Sequence, residues 1–177
     1  MKKKIILIAA LTFLSVTAAL AQRFAYVDSE YILKHIPDYI SAQKQLGAMS
    51  DQWQKEVDAR FQEIDRLFKA YQADQPLMTA EVKKRREEEI VNKEKEAKDF
   101  QRKIFGPEGD LSQRSNAVIK PIQDRVAKAV QAMAESENLD VVLDKNSEVI
   151  MLYANPRYDK SAEVITRLGL KPGVLAK

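Results

Sequence analysis

Apolar residues recur along one stretch of this chain with the period of an α-helix. They are separated by steps of three or four positions, with a mean step of about 3.6, which is the helical period. The positions are Leu46, Met49, Trp53, Val57, Phe61, Ile64, Phe68 and Tyr71. The stripe predicts one amphipathic helix of about 34 residues, which would be about 50 Å long.

A second long helix follows after a short turn. Residues 73–76 interrupt the pattern, and Thr79 is a residue type that caps helix N-termini. The new helix begins with consecutive charged residues, Lys83–Glu89. This block could bind phosphate, but its basic residues stand four positions from glutamates, and such pairs are typical of a solvated helix face. Two long helices joined by a turn predict an antiparallel, coiled-coil-like hairpin arm, which we assign to residues 38–135.

Glycine and proline mark two further points in the second helix of the arm. Residues 106–109 contain two glycines and Pro107, so a break or a kink is expected there, with Pro107 suited to restart the helix. The helical spacing then resumes as far as Met133, and Pro121 should bend the helix locally.

A short β-prone segment precedes the arm. Phe24–Val27 is the predicted strand, and Asp28 can cap a short helix after it. Pro37 should end that helix, and Asp38 offers the next cap.

Two more strands are predicted after the arm, at Leu139–Asp144 and Glu148–Tyr153. The second has apolar residues on both faces, so we expect it to be covered on both sides. A final helix, from about Asp159 to Leu168, should end at Gly169 in a Schellman motif.

Segments 22–37 and 136–177 together form a small predicted β-sheet body. It is too small to bury a sizeable core alone and its sheet edges would be open, so we expect it to oligomerise. The residues assigned to this oligomerisation body are Phe24, Tyr26, Val27, Leu139, Val141, Leu143, Val149, Met151 and Tyr153. The predicted fold class is therefore α+β and mainly helical, with a long hairpin projecting from a small sheet.

The first 21 residues have the organisation of a cleaved signal peptide. Lysines at positions 2–4 precede the apolar run Ile5–Leu14, and Ala19–Ala21 is an A-x-A cleavage site. A membrane anchor is the alternative, but the apolar run is short for crossing a bilayer. We therefore expect cleavage after Ala21 and export.

Charge and composition restrict the function. The full chain has 29 Lys+Arg and 26 Asp+Glu, but removal of the three lysines at positions 2–4 leaves a mature chain without net charge. A general nucleic-acid-binding surface is therefore not expected. The chain has no cysteine and a single histidine, His35, which excludes disulfides and thiol nucleophiles. We expect no enzyme activity, metal site or cofactor, and His35 should be packed or on the surface.

The whole mature chain resembles the Skp/OmpH family of periplasmic chaperones. The similarity rests on the strand Phe24–Val27 directly after the signal peptide, on the long charged hairpin, and on a closing segment. That segment, residues 122–130 followed by 138–144, is its most specific part. The neutral mature charge and the interruptions at residues 106–109 and Pro121 depart from the family pattern.

The resemblance implies a periplasmic homotrimer whose bodies form a small β-barrel. Three arms would project from it and enclose a cavity that holds unfolded outer-membrane proteins without ATP, with at most peripheral membrane contact. An alternative from another class is a structural or adaptor hairpin protein of the cell envelope with one specific folded partner.

The candidate client contacts are apolar and aromatic residues of the arm, which suit promiscuous binding. They are Met49, Trp53, Phe61, Phe68, Tyr71, Leu77 and Met78. For most of them a place in the seam between the arm helices is the stronger interpretation, because they follow the helical period. Leu77 and Met78 are exceptions, since they lie at the predicted turn, where no seam requires them.

Overall fold

Long helices make up most of the computed structural model, which describes residues 23–147 and 151–176. The elements are β1 (Phe24–Val27), α1 (Ser29–Lys34), α2 (Pro37–Asp74), α3 (Ala80–Phe105), α4 (Asp110–Glu137), β2 (Val141–Asp144) and α5 (Ser161–Arg167). Short 3-10 turns occupy residues 75–77 and 156–158. The predicted fold class, mainly helical with long helices and a small sheet, is confirmed. The predicted signal peptide lies outside the described residues.

The chain divides into two compact units. One, which we call the sheet unit, comprises the described residues 23–37, 123–147 and 151–176. The other, the hairpin unit, comprises residues 38–122. The division falls inside α4, so this one helix contributes its first part to the hairpin unit and its second part to the sheet unit.

Two parallel strands form the centre of the sheet unit. β1 pairs with β2 in a register that runs from Phe24–Val141 to Val27–Asp144. On the other edge of β1, Tyr26 forms a bridge with Asp159. Helix α5 packs against α1. The buried side chains of the unit are Ala25, Tyr26, Val27, Ile32, His35, Ile36, Val126, Met133, Ser161, Val164 and Ile165.

Two predicted helix-end signals of this unit are confirmed. The Asp28 carboxylate accepts a hydrogen bond from the Tyr31 N–H at 2.8 Å and so caps α1. Gly169 has a φ of 78°, and the Leu170 N–H donates to the Ile165 carbonyl at 3.1 Å, which is the Schellman arrangement.

The predicted roles of Pro37 and Asp38 are wrong. Helix α1 already ends at Lys34, and Pro37 is the first residue of α2, with Asp38 inside its first turn. Proline is favourable at a first helical position, because the N–H that it lacks would have no partner within the helix there.

Strand β2 begins at Val141, two positions later than the predicted Leu139. The intervening backbone closes α4 instead: Asn138 has a φ of 53°, and the Leu139 N–H donates to the Ala134 carbonyl at 2.9 Å. An asparagine tolerates this left-handed conformation better than most residues, so it can end the helix.

The predicted strand Glu148–Tyr153 is not formed in its described part. Val149 and its two neighbours lie outside the described residues, and Met151–Tyr153 have no strand structure. Leu152 and Tyr153 are 94% and 80% exposed, so their own chain does not supply the predicted cover. The chain after β2 instead stays alongside β1 and does not fold back on β2: the Lys145 N–H donates to the Val27 carbonyl at 2.8 Å, and Asn146 Nδ2 donates to the Asp28 carboxylate at 2.7 Å.

Helix α2 runs antiparallel to α3 and to the first part of α4 in the hairpin unit. Four side-chain contacts establish this direction, because the partner's number rises as the number on α2 falls. They are Tyr71 with Glu87, Glu63 with Lys93 at 3.4 Å, Arg60 over the Phe100 ring at 4.2 Å, and Trp53 with Arg114 at 5.8 Å.

Residues 106–109 separate α3 from α4, so of the two predicted outcomes, a break or a kink, the structure shows a break. A side chain at Gly109 would place its Cβ 2.5 Å from the Ile104 carbonyl oxygen, so the turn requires glycine there. Pro107 does not restart the helix, since α4 begins only after Gly109. Pro121 lies inside α4, which continues past it.

Candidate functional site

The seam of the hairpin unit is formed by residues seven positions apart on each helix. A repeat of seven is the period of coiled-coil packing. Each of these side chains is at most 8% exposed: Val57, Ile64 and Tyr71 on α2, and Ile90, Ala97 and Ile104 on α3. Leu67 and Met78 pack against the part of the seam nearest the 3-10 turn, which contains Ile64, Tyr71, Ile90 and Ala97.

Two of the predicted client contacts therefore lie at the seam. Tyr71 is buried, and its hydroxyl donates to the Glu87 carboxylate and accepts from Gln75 Nε2 at 3.2 Å. The hydrogen bond to Glu87 raises the pKa of the Tyr71 hydroxyl. Met78 packs against the same cluster and is only partly exposed. These positions fit the seam interpretation, and a role of either residue as a client contact stays a prediction.

The other predicted client contacts present apolar surface. Leu77 is 89% exposed and lies in the 3-10 turn between α2 and α3. Phe61 and Phe68 are 36% and 46% exposed, because they stand four positions beyond buried seam residues and so lie at the margin of the packed face. Met49 and Trp53 are half-buried.

Five large apolar side chains are exposed on the described hairpin unit, and we call them the hairpin apolar residues. They are Phe61, Phe68, Leu77, Val91 and Val118. Val91 and Val118 were not among the predicted contacts. Neither belongs to the apolar stripe of α2, and no signal in the sequence distinguishes them from the many valines that become buried.

The charged block Lys83–Glu89 makes its contacts within the hairpin unit. Lys84 pairs with Glu88 at 3.9 Å, Arg86 pairs with Glu89 at 3.3 Å, and Glu87 binds the Tyr71 hydroxyl. These contacts fit the predicted solvated helix face.

An open apolar groove of about 540 Å³ lies in the sheet unit. It is bordered by β1 and α1, by the second part of α4 and by β2. Apolar side chains line most of it, among them Val27, Leu33, Val126, Val130, Val142 and Leu143.

The residues predicted for the oligomerisation body differ in exposure. Tyr26 and Val27 are buried within their own chain. Phe24, Val141 and Leu143 are between 41% and 51% exposed, although the Phe24 ring packs against the tilted ring of Tyr158. Leu139 and Met151 are half-buried, Tyr153 is exposed, and Val149 lies outside the described residues. Their role in oligomerisation stays a prediction.

Non-covalent apolar contact is the chemistry that these surfaces offer. Within residues 23–147 and 151–176, no group of three or more His, Asp or Glu side chains could hold a metal ion. Over the same ranges, none of the helices combines the length and apolar character that crossing a membrane requires. His35 is buried, and backbone groups bind both of its ring nitrogens.

A small parallel sheet and a separate unit of heptad-packed antiparallel helices define a class of helical-hairpin proteins. The chain belongs to the OmpH-like outer membrane protein family, whose model matches residues 23–168. The predicted family membership is thereby confirmed.

A solved structure supports the fold. The crystal structure of a proposed outer membrane chaperone (OmpH-like) from Caulobacter crescentus superposes with a TM-score of 0.62 and is 14% identical in sequence. The match covers 88% of this chain and 90% of that chain. At this identity the likeness shows a shared fold. No curated protein matches the chain significantly.

Proposed function

We propose that the protein is an ATP-independent periplasmic holdase chaperone. It binds unfolded outer-membrane proteins between helical hairpins and prevents their aggregation. The observation that carries this proposal is the set of hairpin apolar residues, which are exposed on long, otherwise charged helices. Unfolded β-strand segments expose alternating apolar side chains, and many weak apolar contacts can hold them without nucleotide. Membership of the OmpH-like family supports the same function.

The proposal includes export and assembly into a trimer. The signal peptide is removed after Ala21, which delivers the mature chain to the periplasm. Three copies associate through their sheet units. The exposed Val141 and Leu143 and the apolar groove support this, since a partner copy would cover them, and a two-stranded sheet is only marginally stable alone. No catalytic step, metal or cofactor belongs to the proposed mechanism.

An aggregation assay tests the proposed function. An unfolded β-barrel outer-membrane protein is diluted from urea, and its aggregation is followed by light scattering without nucleotide. The mature protein should suppress the signal at a near-stoichiometric ratio of trimer to client. Aggregation that proceeds unchanged at a several-fold excess of trimer would contradict the holdase function. If, in addition, a crosslinker attached at position 77 captures one folded partner, the protein is an adaptor instead.

Variants of the hairpin apolar residues locate the binding surface. The triple variant Phe61→Ser, Phe68→Ser, Leu77→Ser should suppress aggregation several-fold less well, because it removes exposed apolar area. The control is Gln62→Ser with Gln72→Ser, which changes exposed polar positions of α2, the helix that carries Phe61 and Phe68. Circular dichroism checks that both variants keep their helix content. Equal suppression by the two variants would place client binding elsewhere.

A further inference from the structure

Residues 171–176, which we call the strap, fold back onto α1 after α5 ends. The Ala176 N–H donates to the Lys34 carbonyl at 3.1 Å. The Gly173 N–H donates to His35 Nε2 at 3.0 Å. Gly173 has a φ of 80°, a conformation that glycine adopts without strain, and this turn directs its N–H to the ring. The second of these bonds therefore depends on a titratable side chain.

The contacts of His35 fix the protonation state of its ring. The Tyr31 carbonyl oxygen lies 2.8 Å from Nδ1 and can only accept, so Nδ1 must carry a hydrogen. The Gly173 N–H can only donate, so Nε2 must offer its lone pair. His35 is 2% exposed, so its ring is shielded from water. Only the neutral ring with its hydrogen on Nδ1 satisfies both contacts.

Protonation of this ring removes the bond to the strap. The added proton occupies Nε2, which then points an N–H at the Gly173 N–H, so two donors face each other. The charged ring also loses the lone pair that accepted the bond, and it is buried among groups that cannot hydrate it. Release of the strap restores access of water to Nε2 and relieves both effects.

Charged groups on the neighbouring elements do not hold the ring through hydrogen bonds, because backbone groups already engage both of its nitrogens. Glu30 and Lys34 on α1 pair with each other at 2.6 Å. Glu163 and Arg167 on α5 pair at 3.0 Å. Asp38 lies three positions after His35, in the first turn of α2, and Lys171 begins the strap.

We propose that His35 and Gly173 form a pH-sensitive latch, in which the neutral histidine holds the strap on α1 and acidification releases it. Release uncovers His35 at the end of α1 and lets Val174 and Leu175, whose side chains are already exposed, move away from α1. This inference is independent of the proposed chaperone function, since it rests only on contacts within the sheet unit.

A spin label on the strap measures the latch directly. The chain has no cysteine, so Val174→Cys gives a single attachment point, and this side chain is already 63% exposed. Spectra of the full-length mature protein are compared at about pH 7.5 and about pH 5.5, which bracket the usual range of histidine titration. The label should lose its immobilised component at the lower pH. An unchanged spectrum would overturn the proposal.

Two substitutions of the histidine assign the response. His35→Gln keeps an oxygen acceptor but cannot titrate in this range, and His35→Phe has no acceptor. The pH response should vanish in both, with His35→Phe mobile at both pH values. A response in His35→Gln equal to that of the parent would also overturn the proposal. A label at Val118→Cys, on the hairpin unit, should not respond to pH and serves as the control.

Discussion

At the scale of single residues, Asp28 connects more of the sheet unit than its sequence role as a helix cap suggests. Its carboxylate accepts from the Tyr31 N–H, and also from Asn146 Nδ2 at 2.7 Å and Lys145 Nζ at 3.4 Å in the turn after β2. Its own N–H donates to Ser161 Oγ at 2.8 Å, at the start of α5. One residue thus joins α1, β2 and α5.

The ionised form of Asp28 should contribute to stability above its usual pKa. Burial raises the pKa of this carboxyl, but hydrogen bonds from Tyr31, Asn146 and Lys145 outweigh burial, so the net pKa lies below the usual 3.8. A carboxyl with a lowered folded-state pKa stabilises the fold above the unfolded-state value and loses that contribution as the pH falls.

The variant Asp28→Asn tests this. Asparagine also caps helices, so the variant should lose only the ionic part, about 0.5–1 kcal/mol at neutral pH. Urea unfolding over a series of pH values should show the difference from the parent shrinking as the pH falls below about 4. A difference that persists unchanged into strong acid would mean that the charge of Asp28 is not responsible.

At the scale of elements, the sequence predicted the amphipathic face of α2 but could not show which residues of that face are buried and which are exposed. From Val57 to Tyr71 the stripe contains two rows, and only the row of Val57, Ile64 and Tyr71 is buried in the seam. The helical period of about 3.6 residues is compatible with burial of either row. Which row is buried depends on where α3 packs, and that is a long-range contact. The exposed row with Phe61 and Phe68 therefore emerged only from the structure.

The close approach of the hairpin helices at Ala97 leads to a packing prediction. Ala97 is 1% exposed, so Ala97→Leu must displace neighbouring side chains and should destabilise the protein by about 1–3 kcal/mol. Ala59→Leu adds the same bulk at an exposed position of α2 and should change stability by less than about 0.5 kcal/mol. Denaturant unfolding measures both. Similar losses in the two variants would contradict a tight seam at Ala97.

Two glycines of the hairpin unit should respond oppositely to alanine. Gly109→Ala brings a Cβ to 2.5 Å from the Ile104 carbonyl oxygen and should cost about 1–3 kcal/mol. Gly47 lies inside α2 with nothing within 4 Å of the added Cβ, so Gly47→Ala should stabilise by about 0.5–1 kcal/mol. Thermal unfolding of the two variants gives the sign directly. A loss at position 47 would show that its backbone needs glycine for another reason.

At the scale of the whole molecule, local signals were predictable and distant pairings were not. Thr79 and Gly169 cap helices as predicted, because capping depends on backbone groups within a few residues. Pairing of β1 with β2 in parallel depends on segments far apart in the chain. The strand predicted at Glu148–Tyr153 is not formed in its described part although its apolar pattern is suitable, because the turn after β2 is held by Val27 and Asp28, which are more than 100 residues away in sequence.

The proposed trimer leads to a prediction about mass. Light scattering of the mature protein should give three times the mass of one chain. Val141 is 51% exposed in a single chain, so Val141→Lys should preserve the fold but lower the mass toward that of a monomer. Val91→Lys, at a 62% exposed position of the hairpin unit, is the control and should leave the mass unchanged. A parent protein that is already monomeric would contradict association through the sheet unit.

The parallel pairing of β1 and β2 also determines the order in which the chain can fold. Arg23 and Asp140, at the start of the two strands, are bonded across 117 residues, whereas Tyr71 and Glu87 meet across 16. Contacts between near neighbours in sequence form sooner, so the hairpin unit should fold first and shorten the loop that separates the strands. Until then β1 is an unpaired, β-prone segment with open edges. A protein that we propose to bind the unfolded strands of other proteins thus begins its own folding with β1 unpaired.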